Sequence, residues 1–502
     1  MALIQHVANF VQNDGKIVAP VEGEAEKNWH CAPKLNGISL YSYLQKKGFG
    51  IDLIDSYYQQ RDEFIQLLAQ KPQAVIISTT FISSKKSLYE LVSDIRFLAP
   101  DIFIVAGGPF VQSSYILFER ACEKNYDVKC PREDFLFLTV NNRPDIDLYI
   151  IDKRGESILS QALRQVIDGQ KPHNLPNAAF FDGQKYVFSK REQLDQPGVD
   201  IDWQNLPEKF FKTGVVNIQA SVGCPFSCEF CNFVKDKRYT YVKPLDQLIN
   251  ELKAIKKKGI RYVRFVDDNF RLGRRDLDKV CARFIEEGLD IKWMSFIRAS
   301  TLAESDLNLL KKAGCVEVQM GIESADKSVL NNMNKNADPK MYYNVIRDLL
   351  NIGINCSCCF VVGFPGETKE TFQNTFEFIQ SVSEKKQEGI FYWSIYPFLL
   401  VPLSPIYEAE KRAKYQLEGY LHKWTHASMD SNTALKLIMS AFQKIDSASP
   451  IYSGDNIDML MALSPSKRKA FMQVRHALSK RFLQEPFDRL RVLKEFSEVL
   501  NI

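Results

Sequence analysis

Between residues 214 and 406 one unit recurs six times: a short apolar run rich in β-branched residues, then a longer stretch with helical spacing. The runs at 215–221, 262–267, 293–298, 316–321, 355–363 and 391–398 read as strands, and stretches such as 245–258 and 275–287 as helices between them. Strands that are apolar on both sides need cover on both faces, which helices crossing between parallel strands provide. Six consecutive units with short, right-handed connections predict an open, partial (β/α)6 barrel, with its chemistry at the carboxyl ends of the strands.

The sequence on either side has a different texture. Upstream, helical stretches at 40–47, 64–69 and 86–98 alternate with strand-like runs at 50–55, 74–78 and 102–106, the pattern of a doubly wound, Rossmann-like α/β domain. Ligands of such domains lie beyond the carboxyl ends of the strands. Here those ends read Ser78-Thr79-Thr80 and Gly107-Gly108-Pro109, with Arg154-Gly155-Glu156 opening a later helix. A connector at 176–207 carries an expected hairpin at Asp182-Gly183 and a linker at Gln196-Pro197-Gly198. Downstream of residue 408 the chain reads as helical and charged, with Ser464-Pro465 as a helix start. The expected division is 1–195, 196–407 and 408–502.

Bulk composition excludes several classes of partner. With 65 basic and 61 acidic residues the formal charge is +4, too balanced to draw the chain to nucleic acid or an acidic membrane. No apolar run approaches the ~20 residues of a membrane span, and no signal peptide is evident, so a cytoplasmic enzyme is expected. In that compartment eleven cysteines are reduced, buried or metal-bound rather than paired as disulfides.

Three of those cysteines stand together just after the first barrel strand, in Gly223-Cys224-Pro225-Phe226-Ser227-Cys228-Glu229-Phe230-Cys231. Thiolates are soft ligands suited to iron–sulfur clusters, and three on one loop would leave the fourth iron of a cubane open. Structural zinc is the alternative. It wants four protein ligands, whereas the next cysteine is Cys281 and no histidine lies between His173 and His422.

The spacing Cys-x-x-x-Cys-x-x-Cys with Phe230 before the last cysteine resembles the signature of the radical S-adenosylmethionine superfamily. The resemblance continues through Val266-Asp267-Asp268-Asn269-Phe270, Gly321-Ile322-Glu323-Ser324, Gly363-Phe364-Pro365-Gly366-Glu367-Thr368 and Pro402-Leu403-Ser404-Pro405-Ile406-Tyr407, each at a strand end and in order. It implies that Cys224, Cys228 and Cys231 hold a [4Fe–4S] cluster. It also implies that Phe230, Arg298, Glu323, Ser324, Gly363 and Pro365 contact S-adenosylmethionine, whose cleavage yields a 5′-deoxyadenosyl radical. Asp267 or Asp268 could face substrate, or cap the following helix. Reduced ferredoxin or flavodoxin is the implied electron donor, and the implied substrate is a small molecule or peptide.

The upstream domain resembles the cobalamin-binding domain that precedes the barrel in one class of that superfamily. The resemblance rests on residues 40–55, Ser78, Thr79, Thr80, Gly107, Gly108, Gly155 and Glu156, which are the implied cobalamin contacts. One departure stands out: the Asp-x-His-x-x-Gly motif that supplies a cobalt ligand is absent, since Asp55 is followed by Ser56-Tyr57-Tyr58-Gln59-Gln60. Either cobalamin binds without a histidine ligand, which is the favoured expectation, or the domain is a relic without cobalamin; C-methylation of an unactivated carbon is the implied reaction. A radical rearrangement, cyclisation or oxidation is the alternative, and a non-catalytic iron–sulfur or zinc protein the bland one. Cys31, Cys122 and Cys130 do not match the second-cluster spacing of methylthiotransferases. Cys356 and Cys358 are expected on one face of the fifth strand and Cys359 on the other, as small buried residues.

Overall fold

The structure, a computed structural model, describes residues 32–123, 129–139, 145–152, 154–182, 184–192, 200–232, 240–271, 274–382, 387–451 and 463–482. The chain divides into two compact units, Pro33–Asp202 and Met1–Ala32 with Trp203–Ile502. Gly183, Gln196-Pro197-Gly198, His6, His30 and Cys31 lie outside the described residues.

The first unit is built on a five-stranded sheet. Ala74–Ser78, Phe103–Gly107 and Leu148–Ile150 run parallel, and the antiparallel pair Ala178–Phe181 and Tyr186–Phe188 extends the sheet. Alternation along Leu148–Ile150 shows how both faces are covered. Leu148 and Ile150 pack with Leu44 of helix Leu35–Lys46 and with Ile158, Leu159 and Ala162 of helix Glu156–Ile167. Tyr149 points the other way, its ring edge-on to Phe137 and its hydroxyl 3.2 Å from Tyr89 of helix Lys85–Leu98. That helix starts where Ser84 accepts the Ser87 N–H, and Leu88, Val92 and Ile95 form its buried stripe. The hairpin turn forms at Asp182, whose carboxylate accepts the N–H groups of Gln184 and Lys185.

One expected strand is absent. Residues 50–55 pair with no strand, and Ala74–Ser78 is the sheet edge. The segment lies against helix Leu35–Lys46 instead: Leu53 fills the space beside Gly37, and Asp55 pairs with Lys34 at 3.2 Å. Its apolar residues serve that helix rather than a ladder.

The second unit holds a sheet of seven parallel strands in sequence order: Val215–Ile218, Tyr262–Phe265, Lys292–Phe296, Cys315–Glu323, Asn355–Val362, Phe391–Pro397 and Ser449–Pro450. The first six are the expected barrel strands. The seventh is two residues long and adds to the edge through Tyr392 and Trp393. Among the described residues nothing pairs the first strand with the last, so the barrel is open. Aspartates cap the helices that return to it: Asp306, Asp326 and Asp338 each accept backbone N–H groups at a helix start. Between sheet and helices, Phe265, Phe270, Phe284 and Trp293 form an aromatic cluster with centroids 4.7–6.4 Å apart. Each ring removed from water contributes roughly 1.5–3 kcal/mol.

Beyond the barrel strands the chain carries the expected helices, among them Ala409–Tyr415, Ser431–Lys444 and Pro465–Phe482. It also carries a three-stranded antiparallel sheet, Glu418–Tyr420, Lys423–His426 and Met429–Asp430. In Lys423–His426 the burial alternates, Trp424 and His426 inward and Lys423 and Thr425 outward. That period of two is the strand signal within a stretch expected to be helical.

Candidate active site

The cysteine loop follows the first barrel strand, and its start is held. Asp267, fully buried, accepts the Ala220 and Ser221 N–H groups and the Ser221 hydroxyl. Burial pushes its carboxyl up to about 7 against those hydrogen bonds. Asp268 accepts the Gly223 N–H at 2.8 Å. Both aspartates therefore shape the loop. Its middle is pinned from the residues just after helix Lys327–Asn332: Glu229 N–H donates to the Met333 carbonyl at 2.9 Å and Asn334 donates to the Ser227 carbonyl at 2.8 Å. From beyond the sixth strand, the Ile406 N–H donates to the Glu229 carbonyl at 2.9 Å and Lys411 pairs with the Glu229 carboxylate.

None of the three thiols is in a disulfide; Cys228 is buried and Cys224 and Cys231 are half-buried. Burial raises the Cys224 thiol, opposed by the Phe226 N–H and the Arg298 guanidinium. Arg298, at the end of the third strand, lies 3.8 Å from the Cys228 sulfur and 3.5 Å from the centre of the Phe226 ring. Its other nitrogen donates to the Lys335 carbonyl at 2.7 Å.

Lys335 connects this group to Glu323 through a buried ion pair of 2.8 Å, and its ammonium lies 5.9 Å from the Phe230 ring. Glu323 ends the fourth strand with φ +65°, a strained conformation for a non-glycine residue, where the register against the fifth strand shifts. Gly321 makes room for the pair, since a Cβ there would stand 2.3 Å from the Glu323 carboxylate and 3.1 Å from the Lys335 ammonium. The Tyr342 hydroxyl is buried beside these charges and has no hydrogen-bond partner among the described residues. Ser324 is placed differently. Its hydroxyl contacts Thr375 at 3.3 Å and accepts the Asp326 N–H, inside the packing rather than with Glu323 and Lys335.

Phe230 also meets the turn after the fifth strand, edge-on to Phe364 at 6.4 Å. In that turn Gly363 has φ +92°, and Asn332 donates to the Pro365 carbonyl at 3.3 Å. Glu367 accepts the Gly363 N–H; burial raises its carboxyl to about 8. The structure thus brings Cys228, Phe230, Arg298, Glu323 and Gly363–Pro365 to one end of the barrel. Lys335 completes the network, and nothing in its local sequence singled it out.

In the first unit, Ser78, Thr79, Thr80, Gly107 and Gly108 do converge at the carboxyl ends of neighbouring strands. The Thr79 hydroxyl is used internally, donating to the Gly107 carbonyl at 2.9 Å. Ser78 and Thr80 hydroxyls lie 3.1 Å apart, and Asn36 donates to Ser78. Gly155 precedes helix Glu156–Ile167. One Glu156 carboxylate oxygen is buried without a partner, and burial raises that carboxyl. In place of a histidine motif, the Gln60 side chain accepts the N–H groups of Asp55 and Ser56.

Residues 218–379 match the Radical SAM superfamily profile. Enzymes of the radical SAM superfamily take an electron donor and small-molecule substrates. The chain is 23% identical over 363 residues to an uncharacterized methyltransferase of Pyrococcus horikoshii, covering 69% of this chain and 73% of that one. Other curated relatives are covered over less of their length, from 39% to 59%. Among solved structures, the radical S-adenosylmethionine methyltransferase TsrM of Kitasatospora setae, with cobalamin and a [4Fe–4S] cluster bound, superposes with a TM-score of 0.59 at 18% identity, over 77% of each chain. The cobalamin-dependent S-adenosylmethionine radical enzyme OxsB superposes with a TM-score of 0.60 at 16% identity, over 94% of this chain and 73% of its own. The fold is thus shared with these two enzymes.

The donor set of the cysteine loop suits a cluster. It offers three thiols, with an N–H aimed at one sulfur and a guanidinium beside another, groups that stabilise thiolate. Among the described residues no three His, Cys, Asp or Glu side chains gather to hold one metal ion. A cubane makes a different demand, one thiolate to each of three irons. No helix among the described residues is long and apolar enough to cross a membrane.

Proposed function

We propose that this chain is a cobalamin-dependent radical S-adenosylmethionine enzyme that methylates an unactivated carbon of a small molecule or peptide. The observation that carries the reading is the loop of Cys224, Cys228 and Cys231, pinned at the carboxyl end of the first barrel strand with Arg298 against the Cys228 sulfur. When bound, the cluster and S-adenosylmethionine supply a 5′-deoxyadenosyl radical, and cobalamin supplies a transferable methyl group.

The chain's own residues position and exclude water. The three cysteine thiolates hold the cluster, and Phe226 N–H and Arg298 offset their charge. Glu323 and Lys335 present opposite charges to the cofactor's polar end, and Phe230 and Phe364 wall the site with apolar surface. The backbone of Gly363–Pro365 lines the same end. In the first unit, Ser78, Thr80, Gly107, Gly108, Gly155 and Glu156 form the proposed corrin contacts. The Glu156 oxygen without a partner among the described residues, on a carboxyl whose pKa burial raises, suits the amide-rich rim of a corrin. Ferredoxin or flavodoxin is the proposed class of electron donor.

The test is anaerobic reconstitution with iron and sulfide. About four irons per chain are expected, as a cubane requires, with release of 5′-deoxyadenosine from S-adenosylmethionine on reduction. Zinc in place of iron, or no cleavage, rejects the radical assignment. Protein produced with cobalamin supplied should show a corrin absorption spectrum. Failure to retain the corrin rejects the methylation reading and leaves a rearrangement, cyclisation or oxidation.

A further inference from the structure

His426 lies outside the segment matched to the superfamily, on the middle strand of the small antiparallel sheet, and it is buried. Its Nε2 stands 3.0 Å from the Gly363 carbonyl. Its Nδ1 is the acceptor for the Ser428 N–H at 3.3 Å, with the Ser428 hydroxyl 3.1 Å away. A ring nitrogen that accepts from a backbone N–H carries no proton, so the neutral ring keeps its hydrogen on Nε2 and donates to Gly363. Burial lowers the pKa of the ring, which keeps it in that neutral form.

The same sheet grips the turn a second time, since the Gly366 N–H donates to the Ser428 hydroxyl at 3.2 Å. Trp424 stacks on His426 with centroids 5.2 Å apart and planes 6° from parallel. Its indole N–H donates to the Phe398 carbonyl at 2.7 Å, and its ring lies so close to Gly363 that a Cβ there would stand 2.2 Å from it. Contact runs on from Trp424 through Phe398 and Phe364 to Phe230 on the cysteine loop. A turn held at its first carbonyl and at its fourth residue's N–H has little freedom left.

We propose that His426 is a positioning residue for S-adenosylmethionine, fixing the Gly363–Pro365 backbone through its Nε2 hydrogen bond to the Gly363 carbonyl. The inference rests on the reading above that this turn contacts the cofactor. It makes the small sheet part of the cofactor site rather than an appendage to it.

Two substitutions of like polarity separate positioning from packing. In His426→Gln the amide N–H reaches the place of Nε2; in His426→Asn it stops near Nδ1 and leaves the Gly363 carbonyl unpaired. The dissociation constant of S-adenosylmethionine is measured by equilibrium dialysis on iron-reconstituted protein. Hydrogen exchange of residues 363–366 is followed in protein without cofactor. His426→Asn should weaken binding about tenfold, equivalent to about 1.4 kcal/mol, and speed exchange of the turn, while His426→Gln stays within about twofold of the parent on both. Iron content should be the same in all three. Equal affinity for both variants and the parent overturns the proposal, as does an equal loss in both. Parent protein that takes up iron yet binds no S-adenosylmethionine rejects the underlying functional reading instead, and the exchange experiment then still tests the His426 hydrogen bond.

Discussion

Arg298 and Cys228, far apart in the chain, meet at 3.8 Å between guanidinium and sulfur. A fixed positive charge beside a cluster ligand stabilises the more negative, reduced state, and hydrogen bonds and local charge are the levers by which proteins tune such potentials. Arg298→Met should leave the iron content near that of the parent. The midpoint potential should become more negative by tens of millivolts, about 59 mV for each tenfold change in a one-electron equilibrium. Redox titration followed by electron paramagnetic resonance measures it, and an unchanged potential would contradict a contact between Arg298 and a cluster thiolate.

Replacing Cys224, Cys228 or Cys231 singly with alanine should remove the cluster and all reductive cleavage of S-adenosylmethionine. Cys356→Ala should retain about four irons, because Cys356 is fully buried with its sulfur against the Ile346 carbonyl of helix Pro339–Asn351. Iron and sulfide analysis after reconstitution checks both outcomes.

The Glu323–Lys335 pair is nearly inaccessible to water, with side-chain exposures of 9% and 7%. Removing one partner of a buried pair strands the other charge, at a cost of about 3–5 kcal/mol. Lys335→Met should therefore lower unfolding stability by that order, and Glu323→Gln combined with Lys335→Met should recover much of the loss. Denaturant unfolding of the parent and the two variants is the measurement. A double variant as unstable as the single one would show that the ion pair is not the source of the loss.

His476 is buried between Phe442 and Trp393, and burial lowers its pKa to about 4. The unfolded ring takes up a proton near pH 6.5, whereas the folded ring stays neutral until about pH 4. The unfolded state then binds more protons across that window, so stability is full above pH 6.5 and falls as the pH drops. Between pH 7 and pH 5 this one group should cost about 2 kcal/mol. His476→Phe should show a shallower decline over the same range, and comparing the two unfolding curves isolates the contribution.

The barrel was legible because its signal is local. Each of its first six strands is an apolar run bounded by helical periodicity, and the cysteine spacing sits where the first strand ends. Residues 50–55 have the same look yet form no strand, since whether a run joins a sheet depends on which neighbour takes its apolar side chains. Here Leu53 finds the helix. Lys335 and His426 escaped notice for the opposite reason. Their roles come from partners, Glu323 and the Gly363 carbonyl, that only tertiary folding brings near. The three short strands around Trp424 carry too few residues for a period of two to stand out from the helices on either side.

The pins on the cysteine loop come from Met333, Asn334, Ile406 and Lys411, all made later than the cysteines they organise. On the ribosome the three thiols therefore emerge into a chain that has not yet produced the residues needed to shape their loop. The metal-binding geometry is completed only when synthesis has passed Lys411. On the proposed reading, cluster loading is an event of the finished barrel, and a truncated or stalled chain would expose three reducing thiols without the means to arrange them.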